Sequence, residues 1–319
     1  MTDSPAAGGE PAETFESLRP LLFSIAYRML GSVTGAEDIV QDAFVRYEQA
    51  TRGGATVESP RAYLSAVVTR LAIDEQRSAR ARREAYVGQW LPEPLLTDGT
   101  GDDPVVHAEQ ADSLSMAFLL VLERLSPVER AVFLLHDVFG YGYDEVAGIV
   151  GKREANCRQL AARARRHLDA ERPRFDASRE ARDELATRFF AAVAGGDVDD
   201  LVGMLAADAV VYGDGGGKAP QWSAPIVGAE RVARLLAAVG RSMRGHGVHL
   251  RQREVNGQPG ALVLDVAGQL TNVFVLDIAD GAVQTVRSII NPEKLRHIGP
   301  VADVRALLRR GRSERPAAE

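Results

Sequence analysis

Six cationic side chains, Lys152, Arg153, Arg158, Arg163, Arg165 and Arg166, fall within the stretch AGIVGKREANCRQLAARARRHL, Ala147 to Leu168. At helical spacing such a cluster offers guanidinium forks to phosphate oxygens and to guanine edges. The chain around it is acidic, with 38 basic residues against 44 acidic and a formal charge of -6 over 319 residues. Lys152 to Arg174 holds 8 basic residues against 3 acidic, whereas Tyr86 to Gly142 holds 2 against 9. This asymmetry predicts a basic binding face beside an acidic linker. A second basic stripe, Arg70, Arg77, Arg80, Arg82 and Arg83 with Asp74 among them, ends another helical pattern. A third surface is acidic: Glu37, Asp38, Gln41 and Asp42, with Arg46, lie opposite the apolar residues Ile39, Val40, Ala43, Phe44 and Tyr47.

Catalytic chemistry finds less support. The second half offers Asp208, Tyr212, Asp214, His246, His249, Asp265 and Asp277, without a persuasive His/Asp dyad. His246 and His249, three apart on a strand, would point to opposite faces and could not share a metal. Asp265 and Asp277 are expected to face solvent. The stretch DGGGK, Asp214 to Lys218, lacks the spacing of a phosphate loop and a following helix, and reads as a hairpin tip. The expectation is therefore a non-enzyme with no metal and no cofactor. Cys157 is the single cysteine, so no intrachain disulfide can form, which suits a reducing cytoplasm. Residues 1–14 do not read as a signal peptide, and no apolar run is long enough to span a membrane.

The elements that must carry these groups divide the chain. The first half reads as helices: an apolar series from Leu18 to Met29, a helix opened by a Thr34/Glu37 capping box, and one opened by Ser59-Pro60. WLPEPLLTDGTGDDP, Trp90 to Pro104, interrupts the pattern. Helical spacing resumes from Val105 to about Leu125, and Ser126-Pro127 with Glu129 opens another capped helix. YDEVAGIVGKREANCRQL then reads as helix, tight turn at Gly151, helix, with Val146, Ile149, Cys157 and Leu160 as contacts between the two. In such a helix-turn-helix the second helix enters the major groove. Arg153, Glu154, Asn156, Arg158 and Gln159 would face bases, and Arg163, Arg165 and Arg166 phosphates. Beyond a boundary near Pro173 to Ser178, helical patterns alternate with strand-like runs joined by Asn256-Gly257 and Asp280-Gly281 turns. Two or three helices beside a four- or five-stranded antiparallel sheet are expected there, an α+β domain. At this level a one-component repressor or an enzyme fused to a DNA-binding domain remains open.

Longer stretches narrow the choice. AEDIVQDAFVRYEQA resembles the region 2 helix of bacterial extracytoplasmic-function (ECF) sigma factors that binds the clamp of RNA polymerase. PRAYLSAVVTRLAIDEQRSARARRE resembles the helix that reads and opens the minus-ten element, although the family usually has Asn where Arg70 stands. LSPVERAVFLLHDVFGYGYDEVAGIVGKREANCRQLAARARRHL resembles region 4, which reads the minus-thirty-five element. WLPEP (Trp90, Leu91, Pro92, Glu93, Pro94), DGGGK (Asp214, Gly215, Gly216, Gly217, Lys218) and NPEKL (Asn291, Pro292, Glu293, Lys294, Leu295) resemble the subgroup with a fused SnoaL-like domain. Glu293 replaces the usual Asp in the last of these.

The resemblance implies two all-α sigma domains followed by an α+β SnoaL-like cone. The limits are region 2 at 12–88, an acidic linker at 89–112, region 4 at 113–174, the SnoaL-like domain at 178–299 and a basic tail at 300–319. It implies that Glu37, Asp38, Gln41, Asp42 and Arg46 meet core RNA polymerase. It implies a transcription factor of the stress-response class that binds promoter DNA. No separate anti-sigma factor is implied, and the cone offers room for a small molecule. It further implies that the C-terminal domain packs on the sigma domains through WLPEP and DGGGK and regulates them in cis. The linker carboxylates Asp98, Asp102, Asp103, Glu109 and Asp112 would lie in the polymerase cleft and discourage binding to bare DNA.

Overall fold

The computed structural model describes residues 9–54, 56–98, 113–169 and 178–313. The linker residues Asp102, Asp103, Glu109 and Asp112 and most of the boundary near Pro173 to Ser178 lie outside these. The chain forms two compact units, Met1–Glu84 with Leu119–Arg172, and Ala85–Phe118 with Pro173–Glu319.

The first unit is helical throughout its described residues. Helices α1 (Gly9–Leu30), α2 (Val33–Arg52) and α3 (Pro60–Glu84) pack on one another through Leu22, Ile25, Met29, Val40, Ala43, Leu64 and Val68, all nearly inaccessible. The expected capping box at Thr34 is not the one that forms. Helix α2 starts two residues earlier, and the Ser32 hydroxyl caps it by accepting from the Gly35 N–H at 3.0 Å. Ser59 caps α3 as expected, accepting from the Ala62 N–H at 3.3 Å. Then follow α4 (Met116–Leu122), whose first residues belong to the other unit, α5 (Pro127–Phe133), a π turn (Leu134–Val138), α6 (Tyr143–Val150) and α7 (Glu154–Asp169). Ser126 and Glu129 form the expected capping box. The fully buried Arg130 is held by the Arg28 carbonyl at 2.9 Å and by Glu123 at 2.6 Å.

The second unit contains α8 (Arg179–Gly195), α9 (Val198–Met204), β1 (Leu205–Asp214), β2 (Ile226–Val227), α10 (Ala229–Gly245), β3 (His249–Val255), β4 (Gln258–Leu264), β5 (Leu270–Ala279), β6 (Ala282–Ile289), a 3-10 turn (Pro292–Lys294) and α11 (Val304–Ser313). Its sheet order is β2-β1-β6-β5-β4-β3. The sheet is not the four- or five-stranded antiparallel one expected. It has six strands, and β1 runs parallel to β6, with Tyr212 beside Arg287 and Asp214 beside Ile289. The two-residue β2 is too short to leave a periodic signature. Asn256-Gly257 and Asp280-Gly281 do make the tight turns between β3 and β4 and between β5 and β6, all four residues at positive φ. Helices α8 to α10 cover one face, where Phe189, Leu201, Val211, Leu236, Phe274 and Leu276 form the core. Helix α10 passes so close to α8 that a Cβ on Gly240 would lie 1.7 Å from the Val193 carbonyl oxygen. This is the SnoaL-like α+β architecture that the sequence motifs implied.

Candidate functional site

The helix-turn-helix forms as its spacing predicts. Gly151 ends α6 in the left-handed conformation, φ 65°, that reverses the chain within one residue. Val146, Ile149, Cys157, Ala161, Ala164 and Leu168 make the inner face. Burial pushes the Cys157 thiol up from its ordinary value, which leaves it an inert core group. Lys152, Arg153, Arg158, Gln159, Arg163 and Arg166 are exposed, and Asn156 is half-buried.

The outer cations are not equivalent. Arg158 pairs with Glu154 one turn earlier and lies 5.3 Å from the centre of the Tyr143 ring. Arg163 reaches Glu129 at 3.3 Å, and Arg165 binds Asp137 at 2.6 Å and the Tyr143 hydroxyl at 3.3 Å. These two arginines, expected on phosphates, are tied into their own unit. Among the described residues Arg166 donates only to the Ala162 carbonyl of its own helix, at 3.4 Å.

On α3, Arg77 pairs with Asp74 at 3.2 Å, both well exposed. Arg80, Arg82 and Arg83 lie on the last turns of the same helix. Arg70 points elsewhere. Its guanidinium donates to the carbonyls of Gly148 and Ile149, each at 2.9 Å, and so caps the C-terminal end of α6. There it meets the negative end of the helix dipole. Tyr141 adds a second contact with α3, its hydroxyl 2.7 Å from that of Ser65.

On α2, Asp38, Gln41, Asp42 and Arg46 are exposed, and Glu37 pairs with Arg19 of α1. Val45, 46% exposed, lies among them. A lone apolar residue within a polar face gave no periodic signal in the sequence.

Within the second unit the three motifs of the SnoaL-like subgroup meet at one buried point. The Asp214 carboxylate, fully inaccessible, accepts from the Leu91 N–H at 2.8 Å, from the Lys294 ammonium at 2.6 Å and from the Tyr86 hydroxyl. Lys294 also donates to the Leu91 carbonyl, and its ammonium lies 4.5 Å from the Trp90 ring centre and 4.9 Å from that of Tyr86. Asn291 donates to the Tyr86 hydroxyl at 2.8 Å, and Lys218 pairs with Glu293. Burial, reinforced by the hydrogen bond to Asp214, pushes the Tyr86 phenol well above its ordinary range.

Segment 86–98 then runs on as a strap. The Pro94 carbonyl meets His297 at 2.8 Å, the Leu95 N–H donates to the buried Asn256 side chain at 3.0 Å, and Thr97 bonds Glu254 and Gly257. Asp98 pairs with Arg253, whose hydrogen bonds hold its carboxyl below the usual range. Tyr86, Asn256, His297 and Arg253 were missed by sequence reasoning. Asn256 was read only as a turn residue, and its buried amide left no trace in the pattern.

The polar groups of the cone do other things than expected. Asp277 is buried against Arg287 of the next strand, and Asp265 caps the β4–β5 turn by accepting from the N–H groups of Ala267 and Gln269. Both are about 6% exposed, contrary to the solvent-facing expectation, because each has found a local partner. His246 ends α10 instead of lying on a strand, His249 opens β3, and Asp208 is exposed. DGGGK is not a free hairpin tip: it is the turn after β1 that receives the strap. Among the described residues no helix is long and apolar enough to cross a membrane.

The comparisons with known proteins fit these surfaces. The chain matches "Sigma-70 region 2" over residues 14–82 and "Sigma-70, region 4" over residues 115–168. It is 38% identical over 288 residues to the ECF RNA polymerase sigma factor SigJ of Mycobacterium tuberculosis, across 88% of this chain and 91% of that protein. It is 30% identical over 316 residues to the ECF RNA polymerase sigma factor SigG of the same species, across 89% of this chain and 83% of that one. The crystal structure of the M. tuberculosis SigJ superposes with a TM-score of 0.71 at 34% identity, covering 91% of this chain and all of that one. With one helical unit that carries both matched sigma regions, a SnoaL-like unit in the same chain and this extent of likeness, the chain belongs to the ECF family of RNA polymerase sigma factors.

Proposed function

We propose that this sigma factor carries its own regulator, and that the strap is the device through which the C-terminal unit sets activity in cis. The basic chemistry follows from the family: the chain binds core RNA polymerase and directs it to initiate at specific promoters. It acts in the cytoplasm, beside polymerase and DNA, and catalyses no reaction of its own. Lys152, Arg153, Asn156, Arg158 and Gln159 read the minus-thirty-five element, with Arg166 on a phosphate. The α3 stripe from Asp74 to Arg83 reads and opens the minus-ten element. Unstacking costs a few kcal/mol per flipped base, which capture of the exposed base repays. Asp38, Gln41, Asp42, Arg46 and Val45 meet the polymerase. Arg70 serves as a helix cap and not as a reader. The functional limits run close to 12–88, 113–174 and 178–299, with the strap counted in the C-terminal unit.

The observation that carries the reading is the buried cluster around Asp214 and Lys294. It gathers WLPEP, DGGGK and NPEKL at one point, and the strap it holds begins directly after the α3 helix. Any change at the cluster is thus passed along the chain to the promoter-opening helix. The test is reconstituted transcription with purified core polymerase on genomic fragments. Disrupting the cluster or cutting near Arg296 should change output, and deleting the whole C-terminal unit should weaken it. Equal output from all forms would reject cis regulation, and no initiation from any template would reject the assignment as a whole.

A further inference from the structure

The second unit has a half-open pocket of about 200 Å³ between α10, strands β4 to β6, the loop at residues 220–222 and the C-terminal helix α11. We infer that it is a binding site for a small uncharged molecule, an apolar ring or short branched chain bearing one hydroxyl or carbonyl, closed by α11. The inference does not depend on promoter recognition.

Size sets the first limit. A dry cavity of roughly 150 Å³ lined by apolar side chains holds benzene, so this one takes a single ring with a substituent or two. Lining sets the second. Trp222, Val239, Met243 and Phe274 offer apolar surface, and among the described residues no Lys, Arg, Asp or Glu lines the space. A charged ligand would lose its hydration without a counter-charge, whereas a neutral one loses little.

Hydrogen bonding sets the third. The polar groups on the sheet side are already satisfied. Asn272 donates to the Ser288 hydroxyl at 2.9 Å, and Gln221 donates to the same oxygen at 3.2 Å. Two buried nitrogens of lining residues, Trp222 Nε1 and His246 Nε2, have no hydrogen-bond partner among the described residues. The indole can only donate. His246 Nδ1 lies 2.6 Å from the Ser242 carbonyl, which can only accept, so Nδ1 carries the proton and Nε2 of the neutral ring is an acceptor. An unused donor and an unused acceptor in one apolar cavity match a hydroxyl, which supplies both roles, or a carbonyl, which answers the indole. Unpaired buried polar groups of this kind call for a partner.

The chain's own C-terminal segment borders the mouth. Asp303 caps α11 by accepting from the Ala306 N–H at 3.0 Å, and Val304 and Leu307 line the cavity. Arg305 donates to the Gly217 carbonyl at 3.0 Å, so the lid rests on the DGGGK turn. A ligand enters when α11 lifts.

The full chain, labelled with ¹⁵N, can be titrated with p-cresol, cyclohexanol and benzaldehyde while the two indole N–H resonances are followed, with Trp222→Phe assigning them. At least one probe should shift the Trp222 signal saturably and leave Trp90 in place. His246→Phe should weaken a hydroxyl-bearing probe by about tenfold, Val239→Phe should abolish binding by filling the space, and Leu307→Asp should speed release. If Val239→Phe does not fold, the milder His246→Phe decides. No shift with any of the three probes, or a linear shift shared by both indoles, would overturn the site. Unchanged affinity in His246→Phe would overturn the assigned chemistry, and unchanged release in Leu307→Asp the lid.

Discussion

Replacing Lys294 by Met keeps most of the side chain's length and removes its ammonium, with the charge and the hydrogen bond to the Leu91 carbonyl. In the folded chain that charge is the counter-ion of Asp214, and the two side chains are 8% and 0% exposed, so solvent screens the pair very little. Among the described residues, Lys294→Met leaves a buried carboxylate with the Leu91 N–H and the Tyr86 hydroxyl as its remaining partners. Losing one member of a buried ion pair costs about 3–5 kcal/mol. At roughly 2–4 °C per kcal/mol for a unit of this size, the second unit should melt about 6–20 °C lower. Asp214→Asn added to Lys294→Met removes the stranded charge while keeping an acceptor for Leu91, so the double variant should be more stable than Lys294→Met alone. Thermal unfolding followed by near-ultraviolet circular dichroism reads the effect, because Trp90 packs on the ammonium. A loss below about 1 kcal/mol in the single variant, or simple addition of the two single effects in the double, would show that the pair does not behave as a buried, mutually dependent unit.

Three further outcomes are expected. Asp98 titrates below its ordinary value because Arg253 hydrogen-bonds its carboxylate, so its contribution to strap docking is complete above about pH 4 and is lost as pH falls through that depressed value. The protection factor of the Thr97 amide, whose N–H bonds the Glu254 carbonyl at 3.1 Å, should fall as pH drops through that acidic range and stay flat above it. Arg166→Ala should weaken holoenzyme binding to promoter DNA uniformly across sequences and lower the salt slope by about 1, whereas Arg153→Ala should relax discrimination at the minus-thirty-five element, both measured by anisotropy titrations in increasing salt. Gly240→Ala should destabilise the second unit by about 1–3 kcal/mol or more in urea unfolding, because α10 and α8 must separate to admit a methyl group.

Much of the first unit was legible because its signals are local. The apolar stripes of α2 and α3, the Ser126/Glu129 box and the left-handed Gly151 are each specified within a few residues of sequence. The partners of the arginines were not legible. Arg70, Arg163 and Arg165 look alike in a basic stripe, yet each is claimed by a group far away in sequence, two carbonyls, Glu129 and Asp137. The same distance hid the parallel pairing of β1 with β6 and the burial of Asp277 on Arg287. Periodicity tells which face a residue occupies and says nothing about which distant element will lie against it. WLPEP, DGGGK and NPEKL stood out as motifs, but the ion pair that unites their elements spans 80 residues and needed the fold to reveal it.

The strap and its receptor belong to one polypeptide, so their association is unimolecular. Any balance of docked and released forms would be the same whether ten copies or ten thousand are made. A soluble regulator can be titrated away by synthesising more of its target; a regulator built into the chain, as proposed, would be synthesised with it, one for one. Only something that binds the two forms unequally can shift the balance, such as polymerase, promoter DNA or a small molecule.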